Sequence, residues 1–218
     1  MIHWNFTKKE VVWTIIAIIL FGFITGISYK NDTITIDYSL SSLIVPILVV
    51  LTSILTKKII GNIRCIEIEH SVWKFQRWGW YLRSYFKKPF PIGLALPFFL
   101  SIFSLGIIKP LAILQFDAKN IPEKRILRRV GRIRKMEINE YDLSITAASG
   151  FYALLVLSII GIIFKYPELA KYSVYYGIWN MIPFGGLDGT KLFFGNAYHW
   201  IVLVILHILL LIGVILFV

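Results

Sequence analysis

The chain has 218 residues, of which 57% are hydrophobic and 16% charged, and a mean hydropathy of +0.74. Soluble domains run about 45–50% apolar with about 25% charge, so this composition excludes an ordinary water-soluble domain and predicts one integral-membrane domain over residues 1–218. The net charge of +11 does not signal nucleic acid: of 23 Lys and Arg, eight lie between Lys57 and Lys88 and eight between Lys119 and Lys135, flanking apolar windows as basic loops flank membrane spans.

The first apolar window, Val11 to Ser28, follows Lys8-Lys9 and has no A-x-A site at its end, so it reads as an uncleaved span. A short polar loop over 29–38 leads to a second span from Ser42 through Lys57-Lys58, which can continue as a helix toward His70. Residues 71–90 then mix Trp73, Trp78, Trp80 and Tyr81 with Lys74, Arg77 and Arg83. That mixture suits the headgroup level of a bilayer better than a ligand cage. Cys65 is the sole cysteine, which rules out an intramolecular disulfide and a cysteine zinc cluster.

The window 91–116 is long enough to cross, yet Pro91, Pro97 and Pro110 punctuate it and both flanks are basic. If both flanks lie on one side, the segment is re-entrant, dipping in and returning; otherwise it is an ordinary span. Non-helical backbone at that depth is tolerated only where protein or a water-filled cavity satisfies it. A further span over Leu143–Phe164 clusters Ala147, Ala148, Ser149 and Gly150, small residues that let helices approach closely. The element Leu169–Gly195 and a clean span over Ala197–Val218 complete the chain. The expected fold is an all-α polytopic membrane protein of about five to six transmembrane segments, in the cell membrane, with basic loops 57–90 and 117–141 cytoplasmic.

The most informative stretch is WNMIPFGGLDGTKLFFG, residues 179–195. Pro183 removes a backbone donor, and Gly185, Gly186 and Gly189 permit turns that other residues resist. A helix is expected to break over 180–189 and to present Asp188 at the break. A carboxylate at a membrane helix centre costs about 2.5–3.5 kcal/mol on insertion scales, and so marks a functional candidate. The alternative is a plain N-cap for the last helix.

Asn180-x-x-Pro183-x-x-x-Leu187-Asp188-Gly189 resembles the signature of the site-2 protease family of intramembrane zinc metalloproteases at every fixed position. The small-residue span, with Phe151 and Leu154 where the family has Pro and Asn, and the 91–116 window are similar to that family's elements more loosely. The resemblance implies a site-2-protease-like fold in which Asp188 is a zinc ligand, with Asn180, Pro183, Leu187 and Gly189 shaping the break.

The chain has no H-E-x-x-H, the helical zinc motif in which two His share a face and the Glu acts as base. The nearest stretch is CIEIEHSVWKFQRWG, 65–79, with Arg77-Trp78-Gly79 resembling the basic-aromatic-Gly step that often follows the motif. One register puts Glu67, Ile68 and Ser71 on the motif's positions; a one-residue slip keeps Glu67 as base and His70 as second ligand. If helical, Glu67 and His70 share a face, and with Asp188 could hold a metal, Glu67 then serving as a ligand and not a base. The bland alternative pairs Glu67, Glu69 and His70 with Arg64, Lys74 or Arg77 at the membrane surface.

His3 lies near the N-terminus, and His199 and His207 fall on the last span, where a neutral His207 bonded across helices is the expectation. The reading that follows is a non-catalytic pseudoprotease, with no cofactor, that binds transmembrane segments of other proteins beside the 180–189 break. The alternatives are an active zinc metalloprotease using Glu67, His70 and Asp188, and a small transporter or channel framed by the broken helix.

Overall fold

The computed structural model describes residues 6–30, 33–36, 40–77, 85–121, 129–130, 133–134 and 138–217. Trp78, Gly79, Trp80, Tyr81 and Arg83, and most of the second basic loop, lie outside the described residues, as does His3.

The protein is mostly helical. In chain order the elements are α1 (Lys8–Gly26), β1 (Ile27–Lys30), β2 (Thr33–Ile36), α2 (Leu40–Ile63), β3 (Ile66–Val72), β4 (Phe75–Arg77), β5 (Tyr85–Phe90) and α3 (Ile92–Phe103). They continue with β6 (Leu114–Asn120), β7 (Arg129–Val130), β8 (Ile133–Arg134), α4 (Glu140–Ile163), α5 (Pro167–Met181), α6 (Asp188–Gly195) and α7 (Ala197–Phe217). Among the described residues, four helices are long and apolar enough to cross a membrane: Lys8–Gly26, Ser42–Ile63, Glu140–Ile163 and Ala197–Leu216. Their outward faces carry exposed Val12, Ile15 and Ile19 on α1 and Leu209, Ile215 and Leu216 on α7. Apolar exposure on that scale suits lipid rather than water. The fifth expected crossing, 169–195, is the broken pair α5–α6, whose halves of 15 and 8 residues are each too short to span alone.

The core forms where α2 packs on α1 and α4, and α4 packs in turn on α5 and α6. Phe21, Ile54, Phe116, Phe151, Leu154 and Leu192 are buried there, and the Phe21 and Tyr176 rings stack at 5.6 Å.

Residues 91–113 leave and return at one place. Trp73 accepts a hydrogen bond from Gly93 N–H at 2.9 Å and donates its own N–H to Ile113 O at 2.9 Å. Between these anchors, α3 runs for 12 residues, or about 18 Å at 1.5 Å per residue. The chain then turns at Gly106 against Ile27, at the far end of α1. Lys109 Nζ donates to Thr25 O at 2.9 Å beside that turn, and the chain comes back through irregular backbone over 109–113 into β6. The segment is a helix-and-strand hairpin; α3 is too short to cross about 30 Å of hydrocarbon.

The second span does not continue to His70. The α2 helix stops at Ile63, Cys65 takes a φ of +61°, and 66–72 form strand β3, antiparallel to β6 with His70 opposite Phe116. Alternation along a strand puts Ile66, Ile68 and His70 on the buried face and Glu67 and Glu69 on the other. Glu67 and His70 therefore do not share a face, contrary to the helical expectation. β-branched Ile66 and Ile68, packed under the end of α2, favour the strand over a helix turn.

Candidate functional site

The break comes where the sequence places it. α5 ends at Met181, residues 182–187 form a turn, and Asp188 opens α6. Gly189 is required by close approach: a Cβ there would stand 2.1 Å from Met181 O. Asn180 donates from Nδ2 to Tyr176 O at 2.8 Å and to Leu111 O at 3.2 Å, tying the end of α5 to the return limb of the hairpin. Pro183 is exposed in the turn, whereas Leu187 is buried against Trp73 and Ala112.

Asp188 is 2% exposed, and its partner is Lys57 on α2, whose Nζ donates to Asp188 Oδ2. The ion pair is fully interior, with both side chains under 5% exposed. Room for the lysine stem comes from α4: a Cβ on Gly150 would stand 2.3 Å from Lys57 Cε. The small-residue cluster thus passes a charged side chain through the helix interface to the carboxylate. Lys191 of α6 is close by, its Nζ donating to Phe116 O and sitting 3.7 Å from the centre of the Phe116 ring, which Lys57 Nζ also faces.

A second buried cluster adjoins the first. Glu10, in the first turn of α1, is 0% exposed. Its Oε1 accepts from His70 N at 3.1 Å and pairs with His70 Nδ1 at 2.9 Å; its Oε2 accepts from Lys58 Nζ at 2.7 Å. With Lys58 balancing the carboxylate, the imidazole serves as an Nδ1–H donor, leaving Nε2 a bare lone pair. Burial is the main reason the His70 pKa falls below its ordinary value; the Lys57 charge adds to this, and the bond to Glu10 opposes it. His70 is a neutral imidazole at pH 7.

Glu69 pairs with Lys119 at 2.7 Å and accepts from Thr7 Oγ1 at 2.8 Å, and these bonds hold its carboxyl below the usual range. Arg64 pairs with Asp142. The partners expected for Glu69 and His70 among Arg64, Lys74 and Arg77 are thus replaced by Lys119 and Glu10. Glu67 lies opposite Lys119 in register, on the far face of β3 from His70. The remaining histidines do not join the site. His199 Nε2 bonds Tyr152 OH at 2.6 Å, and His207 bonds Leu203 O within α7, not across helices as expected.

The residues do not fit a zinc ion. Asp188 Oδ1 and His70 Nε2 are buried with no partner among the described residues, which is how two ligands would stand. The other Asp188 oxygen is held by an ammonium, however, and no three His, Cys, Asp or Glu among the described residues are grouped to hold a metal. A resident cation beside the carboxylate opposes a second one.

The helix facing Asp188 is α2, and its window from Lys57 to Gly61 reads Lys-Lys-Ile-Ile-Gly. Sequence reasoning missed Lys57, Lys58 and Glu10. In the sequence the two lysines carry only the signature of interfacial charge at the end of a span. Glu10 had a legible signal in Thr7-x-x-Glu10 ahead of an apolar run, the pattern of a capping box. Thr7 does cap, accepting from Glu10 N–H at 3.2 Å, while the Glu10 side chain turns inward instead of back to the cap.

No protein-family model matches the sequence, and neither a curated protein nor a solved structure matches the chain.

Proposed function

We propose that this is a site-2-protease-like membrane protein without catalysis: a pseudoprotease in which a tethered ammonium replaces the metal. The single observation that carries this reading is Lys57 ion-paired to Asp188, the acidic residue of the Asn180–Gly189 signature. The helix break gives a transmembrane partner somewhere to dock. Beside it, Ile182 and Pro183 of the turn and Trp200, Val204 and Ile208 of α7 line an apolar cleft of about 180 Å³. That is room for a side chain of a neighbouring helix.

The test is metal analysis of purified protein, together with photo-crosslinking from Ile182 in membranes. Metal-free protein that captures transmembrane segments uncut supports the reading. Stoichiometric zinc, with cleavage of a transmembrane substrate abolished by Asp188→Ala, sinks it and restores the active protease.

The active alternative needs Glu67, His70 and Asp188 around one point, and Glu67 faces away from His70. A transporter gains buried charges the sequence reading did not foresee. Glu10, Lys57, Lys58 and Asp188 are engaged with one another, though, and gather toward the start of α1 and the end of α2. A conduit needs such groups through the whole membrane thickness.

A further inference from the structure

We propose that the groove between α1 and α3 is a binding site for one acyl chain of an anionic phospholipid, whose headgroup is held by Lys88. The groove has a volume of about 580 Å³ and is lined by apolar side chains, among them Ile19, Leu20 and Phe23 of α1, Phe90 at its mouth, and Leu94 and Phe98 of α3. That size falls in the range of about 300–1,000 Å³ typical of ligand sites. Nothing along those walls could hydrogen-bond a polar ligand, so the occupant inside it is hydrocarbon.

The groove has a floor and a polar mouth. Phe23 and Phe98 stack at 5.8 Å, seven residues along the chain from Pro91 at the mouth, about 10 Å of helix rise. Phe90 ends strand β5 and Pro91 caps the start of α3; Lys88 precedes them on β5 and is exposed. Lys88 lies two residues from Phe90 and so on its strand face, whereas Lys87 lies on the other. An apolar slot whose mouth residue shares a strand face with an ammonium group matches a lipid that is hydrocarbon at one end and anionic at the other. A transmembrane helix would satisfy the slot but not the lysine. The charge also fits the cytoplasmic leaflet, where anionic lipids attract basic segments.

Native mass spectrometry of the detergent-purified full chain tests this, using phosphatidylglycerol and phosphatidylcholine with matched acyl chains. The expected result is one phosphatidylglycerol retained about fivefold more tightly than phosphatidylcholine, the scale set by one basic side chain beside an anionic headgroup. Lys88→Gln, at an exposed position that leaves folding intact, should reduce phosphatidylglycerol to the phosphatidylcholine level, whereas Lys87→Gln, on the other strand face, should not. Ala95→Trp should fill the slot and weaken both lipids. Equal retention of the two lipids, or a preference that survives Lys88→Gln, overturns the proposal. So does a polypeptide captured by a photo-crosslinker at Leu94, which would assign the groove to a protein partner.

Discussion

Lys57 of α2 and Gly150 of α4 fit each other: the lysine stem occupies the space a Cβ on Gly150 would need, 2.3 Å from Cε. The glycine is there for the lysine, and the lysine is there for Asp188. Gly150→Ala should therefore cost about 1–3 kcal/mol by overpacking, read as a lower melting temperature in detergent. In a Lys57→Ala background the same replacement should cost far less. A double-mutant cycle with no coupling between the two sites would refute the relationship.

Removing one partner of the interior pair should be far worse than removing both. Lys57→Met alone leaves Asp188 buried and uncompensated, a loss of about 3–5 kcal/mol. Lys57→Met combined with Asp188→Leu should recover most of that stability, since a buried ion pair is often replaceable by packed apolar groups. Chemical or thermal unfolding of the three variants decides this. Equal loss in the single and double variants would show that the pair is not the interior tie described above.

Glu10 anchors α1 to β3 and α2 through His70 and Lys58. Glu10→Leu removes the buried carboxylate that Lys58 and His70 share and should cost about 3–5 kcal/mol, whereas Glu10→Gln, which retains an acceptor for His70 N–H, should cost less. Glu67→Gln, on the outer face of β3, should change stability by no more than about 0.5 kcal/mol. A large effect of Glu67→Gln would return that residue to the candidate site.

His70 makes the fold acid-sensitive in a defined direction. Its pKa is lower in the folded protein than the ordinary 6.5, with Glu10, Lys57 and Asp188 as its charged neighbours. Below pH 6.5 the unfolded chain binds the proton that the folded chain resists, so stability rises with pH through this window and falls as pH drops from 7 toward 5. His70→Gln should flatten that part of the profile. A melting temperature that rises on acidification across the same range would contradict it.

Much of the architecture follows from the sequence because each feature is local. Hydropathy sets the four long helices, since about 20 apolar residues make a span in any context. Pro183 and the glycines at 185, 186 and 189 break the helix through their own backbone restrictions, and Asp188 is marked by its cost in an apolar setting. The hairpin over 91–116 was one of two readings, because flanking charge reports side, not path; the bonds of Trp73 to Gly93 and Ile113 decide it. What Asp188 faces is likewise not local. The nearest H-E-x-x-H-like string, at 66–71, is not its partner and folds as a strand because its Ile side chains pack beneath α2 and its backbone pairs with β6. Lys57 looked like one more interfacial charge, since basic residues at the end of a span ordinarily reach water. Only the packing of α2 against α4, with a glycine at the crossing, directs that ammonium inward to the carboxylate 131 residues away.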